Sequence, residues 1–152
     1  MADLTSRWKM PEQTIGQIGP NAILQYLPVL DQAYGPGTAE QVLAQAGLSA
    51  PDGHAMIPQE EAARLHGAVR RRWPQDAAAL ATGAGLGTAD YILAHRIPAP
   101  AQALLRLLPP ALAAPLLAKA ITRHAWTFAG TGRFQARTPW LFELTNNPLC
   151  AP

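Results

Sequence analysis

The sequence predicts an α+β fold, helices first and a small antiparallel sheet second. Up to His124 the apolar residues recur at helical spacing; from Ala125 the period shortens to 2, and turn signals punctuate the rest of the chain. With 152 residues the chain fits one domain, 1–152, long enough to bury roughly 70% of its unfolded surface. Apolar residues make up 49% and charged residues only 14%, too apolar for disorder and sparse in charge for a surface, so some apolar surface is expected to belong to a ligand or a partner.

Residues 1–17 are polar and expected to be poorly ordered. Gly19-Pro20 opens a helix with Ile23, Tyr26, Leu27, Leu30 and Tyr34 on one side, and Pro28 should kink or split it near Tyr26. Gly35-Pro36-Gly37 ends it. Thr38 and Gln41 have capping-box spacing before a short helix stopped at Gly47. Leu48–Ile57 reads as loop. The next helix starts at Pro58 with Glu60 and Glu61 and finishes on Arg70, Arg71 and Arg72, acids and bases both placed to favour its dipole. Its buried stripe is Ala62, Leu65, Val69 and Trp73, and His66 beside the stripe reads as structural or solvent-facing.

Asp76 is placed to cap an alanine-rich helix that runs to Thr82. Gly83-Ala84-Gly85-Leu86-Gly87 lacks the G-x-G-x-x-G spacing and a preceding strand, and no Gly-Lys-Ser/Thr comes after it, so the glycines are read as allowing close approach of another helix or a ligand. Thr88 is placed to cap a further helix with Ala89, Ile92, Leu93 and Ile97 on its apolar side and Tyr91 and His95 on an adjacent face. After Pro98 and Pro100 come two leucine-rich pieces, the second carrying Leu112, Leu116, Leu117, Ala120, Ile121 and His124 on its buried face. Three strands are then expected, around Trp126–Phe128, Phe134–Ala136 and Trp140–Leu144, with Gly130-Thr131-Gly132 and Thr138-Pro139 as turns.

Several function classes are excluded. The formal net charge is only +2, the one basic cluster ends a helix, and nucleic-acid fingerprints are missing, so no nucleic acid is expected. The most hydrophobic segment, Leu107–Ala118, holds three prolines and is well short of the ~20 apolar residues that span a bilayer. With no apolar leader segment and with Cys150 as the one cysteine, a cytoplasmic protein is expected, with peripheral membrane contact left open. His54, His66, His95 and His124 show no metal-ligand spacing, so no metal site is expected, and neither Ser6 nor Ser49 lies in a nucleophile elbow. What remains is a set of aromatic residues and two histidines where helices hand over to strands. Such a set can wall a pocket for a large flat apolar ligand, or be ordinary core.

Thr88–Pro98 (TADYILAHRIP), His124–Gly132 (HAWTFAGTG), Phe142–Cys150 (FELTNNPLC) and Ile18–Gln25 (IGPNAILQ) resemble the bacteriochlorophyll 4-vinyl reductase-like J protein family of bacteriochlorophyll biosynthesis. That resemblance implies a photosynthetic proteobacterial source and a domain similar to ligand-binding modules related to TRAPP-complex subunits. It further implies a tetrapyrrole ligand of magnesium-protoporphyrin or divinyl-protochlorophyllide type, and a place beside 8-vinyl reduction.

Hydride transfer requires a nicotinamide, flavin or iron–sulfur donor, and the chain has neither a dinucleotide fingerprint nor the cysteines for a cluster. A carrier or accessory protein with no built-in cofactor is therefore expected in preference to the reductase. The other alternative is a scaffold for magnesium-chelatase and methyltransferase subunits. The expected ligand contacts are His124 and His95, as axial or propionate-contacting groups, with Tyr91, Trp126, Phe128 and Trp140 as stacking surface. The family's domain continues past NPLC, so the pocket is expected to be completed by further chain or by a second copy, a homodimer. The same resemblance implies a location peripheral to the photosynthetic membrane.

Overall fold

The computed structural model describes residues 16–150. The expectation of poor order over 1–17 falls outside them as far as residue 15, whereas Gln17 is already paired in a strand. The fold is α+β, mostly helical with two small antiparallel sheets. In the first sheet, β1 (Gln17–Ile18) pairs with β2 (Ile57–Pro58), which buries Ile18 and Ile57.

Helix α1 (Asn21–Leu24) stops at Gln25 and α2 (Tyr26–Tyr34) restarts at once. Pro28 thereby lands in the first turn of a new helix, where an amide has no intrahelical partner and the missing donor costs nothing. Gly35 and Gly37, both at positive φ, turn the chain into α3 (Thr38–Gln45). The expected capping box does not form. Thr38 Oγ1 donates to the carbonyl of Gly35 at 2.8 Å, and the Ala39 amide is accepted by Asp31 Oδ1 of α2 at 2.9 Å. A carboxylate from the neighbouring helix takes over the work of a local cap.

Helix α4 (Gln59–Arg72) forms as its charge order predicts and buries Ala62, Leu65 and Val69. Helix α5 runs unbroken from Ala77 to His95, through the glycine run that was expected to divide it. Thr88 is no cap, because its hydroxyl donates back to the Ala84 carbonyl at 2.9 Å. Nor does the Asp76 side chain bond the helix start; it accepts from the Tyr34 hydroxyl at 2.6 Å. The glycines do bring helices close. A methyl group at Gly83 would stand 3.3 Å from Val29, and one at Gly87 would stand 2.9 Å from the Gln25 side chain.

The core lies among these elements. Ile18, Ile23, Leu30, Val42, Leu65 and Val69 are fully buried, and Tyr34 closes one edge by stacking on Trp73 at 4.2 Å, with the Arg72 guanidinium over the same indole. Helices α6 (Ala99–Leu107) and α7 (Pro110–His124) come next. Among the described residues α6 buries none, and α7 buries Ala113, Ala114 and Ala118 while Leu112, Leu116 and His124 are exposed. The expected leucine face is thus displaced, with Leu117 and Ile121 half-buried and Leu112, Leu116 and His124 outside. Alanines allow a close helix contact that leucines would hold apart, which leaves the leucines outside.

A second correction concerns the strand expected at Trp126–Phe128, which is a helical turn, α8 (Trp126–Ala129). Ala125 and Ala129, one turn apart, are its buried side, and three alternating residues are too few to separate period 2 from 3.6. The C-terminal sheet therefore has two strands, β3 (Arg133–Thr138) and β4 (Leu141–Thr145), with Phe134 opposite Leu144 and a bulge between Ala136 and Thr138. Three ties hold this part to the core elements. The Gly19 amide donates to the Thr127 carbonyl at 2.7 Å, Gln59 binds both the amide and the hydroxyl of Thr131 at 2.9 and 3.0 Å, and Arg70 reaches the Leu149 carbonyl at 2.5 Å.

Candidate functional site

The six residues expected to contact a ligand fall in two places. Tyr91 and His95 lie one turn apart near the end of α5, their rings stacked at 4.5 Å and 21°. His95 Nδ1 is 3.0 Å from the Tyr91 carbonyl, so in the neutral ring Nδ1–H donates and Nε2 keeps the lone pair. The imidazole is exposed, which leaves Nε2 available to an outside partner.

The other four belong to the corner where α7 passes through α8 into the hairpin. His124 ends α7, exposed, with its carbonyl accepting from the Thr127 hydroxyl at 2.8 Å. Trp126 is exposed, whereas Phe128 is half-buried and meets Phe134 edge-on at 5.3 Å. Phe134 in turn stacks on Phe142 at 5.6 Å, so α8 is fixed to the sheet through aromatic contacts. Trp140 stands in the β3–β4 turn, 68% exposed, its amide donating to Thr138 Oγ1. Among the described residues no hydrogen bond or ring contact joins the α5 pair to this corner.

Two concavities were expected by none of the sequence patterns, and none of the six residues lines either of them. One, of about 630 Å³, opens between α7 and β3 and carries Lys119, Arg123 and Arg137 along its sides, with Pro115, Ala118 and Pro139 as apolar lining. Arg137 is paired with Glu143 at 2.5 Å across the hairpin; Lys119 and Arg123 have no hydrogen-bond or ion-pair partner among the described residues. The signal that would have found these cations is in the sequence. From Tyr91 to Phe142 there is no aspartate or glutamate, and the charges of that stretch are Arg96, Arg106, Lys119, Arg123, Arg133 and Arg137.

The second concavity, about 420 Å³, lies between α4, the start of α5 and the C-terminal turn, beside Tyr26, His66, Arg70 and Leu149. His66 is structural. Its Nε2 is 3.0 Å from the Ala22 carbonyl and its ring meets Tyr26 edge-on at 4.7 Å. Burial, with help from the nearby Arg70 charge, holds its pKa below the ordinary histidine value despite the bond to Ala22. Outside the concavities, the bond to Asp76 pushes the Tyr34 hydroxyl up to about 12. Among the described residues no three histidine, cysteine or acidic side chains stand together as a metal site, and no helix is long and apolar enough to cross a membrane.

The chain is 49% identical over 138 residues to the bacteriochlorophyll synthase 23 kDa chain of Cereibacter sphaeroides, an alignment covering 89% of this chain and 67% of that protein. It is 44% identical over 144 residues to the bacteriochlorophyll synthase 23 kDa chain of Rhodobacter capsulatus, covering 93% of this chain and 68% of that one. These names agree with the pathway that the resemblance implied and say nothing of vinyl reduction. No family model matches the chain, and no solved structure does, so the implied likeness to TRAPP-subunit modules is not confirmed.

Proposed function

The chain belongs to the family of the bacteriochlorophyll synthase 23 kDa chains and has a role in bacteriochlorophyll biosynthesis; from that premise we propose that it is an accessory protein which holds a magnesium-tetrapyrrole intermediate and presents it to neighbouring enzymes. One observation carries this reading. Between Leu86 and Phe142 none of the large apolar side chains is fully buried and many are exposed, among them Leu86, Ile92, Leu93 and Trp126, while the core they would ordinarily join is closed without them. A flat macrocycle lying on such a surface buries apolar area on both partners.

His95 supplies the polar contact. The bond at Nδ1 and the stack on Tyr91 fix the ring and leave the lone pair of the exposed Nε2 free, which would let His95 hold a central magnesium. The relatives' name describes one chain of a synthase, which supports a place among other subunits; subunits of the chelatase or methyltransferase steps are the recipients in this reading.

The test is titration of the purified chain with magnesium protoporphyrin, monitored by the Soret band and tryptophan quenching. A saturable shift is expected, weakened about tenfold or more in a His95→Ala, His124→Ala double variant. No saturable change, or equal affinity in the double variant, removes the assignment. Conversion of a divinyl substrate to the monovinyl product by this chain and a reduced nicotinamide alone would replace the accessory role with the reductase one.

A further inference from the structure

The acid-free stretch does more than carry cations; it shares its surface with apolar side chains of a particular kind. All ten acidic residues of the chain lie outside Tyr91–Phe142. Within it, Leu112, Leu116, Lys119 and Arg123 succeed one another at four, three and four residues along α7, which sets them within roughly 60° of one another around the helix. All four are exposed.

Like charges one turn apart repel, and no acid of the described residues offsets Lys119 or Arg123. Arg137 and Pro139 of the hairpin line the same concavity as these two cations, so the β3–β4 turn stands beside α7. Trp140 in that turn and Leu141 just after it are 68% and 59% exposed. A tryptophan and leucines that protrude from a turn and a helix stripe, beside the uncompensated Lys119 and Arg123, have the chemistry of a headgroup interface: bases at the phosphates, indole at the boundary, leucines toward the acyl chains.

We propose that the α7 stripe Leu112–Leu116–Lys119–Arg123, together with Trp140 of the β3–β4 turn and Leu141 at the start of β4, docks this protein on an anionic lipid surface. The contact is peripheral, since no helix of the described residues can span a bilayer. Charge complementarity sets the orientation, because the acidic part of the molecule is repelled from the same surface that attracts this edge. The site uses other residues than the proposed tetrapyrrole contact at His95.

The test is co-sedimentation of the full chain, free of pigment, with phosphatidylcholine vesicles made with and without phosphatidylglycerol. Binding is expected only to the anionic vesicles and is expected to fall as salt rises, since exposed charges are screened beyond about 8 Å at physiological ionic strength. Lys119→Gln with Arg123→Gln should weaken it about 25-fold, at roughly fivefold for each base lost. Trp140→Ser should weaken it about tenfold, with brominated lipid quenching tryptophan emission in the parent chain but less in this variant.

All three substitutions are on exposed side chains, and circular dichroism verifies that the fold is kept. Absence of binding, equal binding to neutral vesicles, or full binding by the double glutamine variant overturns the proposal. So does a chain that ignores vesicles but self-associates through Trp140, which would make this edge a contact between copies. A His95→Ala chain should bind vesicles like the parent, so failure of the pigment reading and failure of the lipid reading are told apart.

Discussion

Residues 16–84 and residues 85–147 treat their large apolar side chains in opposite ways. In the first stretch isoleucines, leucines and valines from β1, α2, α3 and α4 fill a closed core; in the second the fully or nearly buried residues are alanines, and leucines and tryptophans face out. A buried leucine contributes roughly 1.5–3 kcal/mol to folding and an exposed one next to nothing, so the stability of the molecule rests on the first stretch. The second stretch leaves much of its apolar surface exposed.

The largest expected effect sets the two directly against each other. Leu65→Ala, at a fully buried α4 position, should cost about 2–5 kcal/mol in urea denaturation. Leu107→Ala, at an α6 position 82% exposed, should stay within about 0.5 kcal/mol. A comparable loss at Leu107 would mean that α6 is packed in solution and would break the contrast.

A smaller effect probes the join. A methyl group at Gly19 would lie 2.9 Å from the Thr127 carbonyl oxygen, in the same place where the Gly19 amide bonds that oxygen. Gly19→Ala should therefore cost about 1–3 kcal/mol and raise amide exchange in α8 and β3 more than in α4. Uniform loss of protection would show that the two stretches unfold as one.

The smallest effect sharpens the first stretch alone. His66 has a folded pKa below its unfolded value, so the unfolded chain takes up the proton first and stability rises with pH across the interval between the two. The contribution is whole above about 6.5 and is lost as pH falls below it toward the folded pKa. His66→Gln should flatten that part of the stability profile, and an unchanged profile would place the acid sensitivity elsewhere.

How far the sequence could be read tracks the same division. Helices α2 and α4 were legible because their signals are local: a proline that restarts a helix, acids in the first turn and arginines in the last. The continuity of α5 was not, since each glycine costs about 1 kcal/mol against alanine in isolation, and only the approach of Val29 and Gln25 offsets this. Helix α8 and the outward leucines of α7 were misread for one reason: Ala114 and Ala118, then Ala125 and Ala129, are the packing residues, and alanine carries little hydrophobic signal. Of the candidate site, the Tyr91–His95 stack was legible from its four-residue spacing alone. Its separation from the Trp126–Trp140 corner depends on tertiary contacts that no spacing encodes.

The Gln59 side chain offers both faces of its amide to one residue, carbonyl to the Thr131 backbone and NH2 to the Thr131 hydroxyl. That arrangement settles which end of the amide is oxygen, and it makes the two Gln59 side-chain protons a paired nuclear-magnetic-resonance reporter at the base of the hairpin. Thr131 stands two residues before β3, so a load on the turn at Trp140 would reach it along that strand. The splitting of those two resonances would register the load at the far end of the lever, without any label on the surface that does the binding.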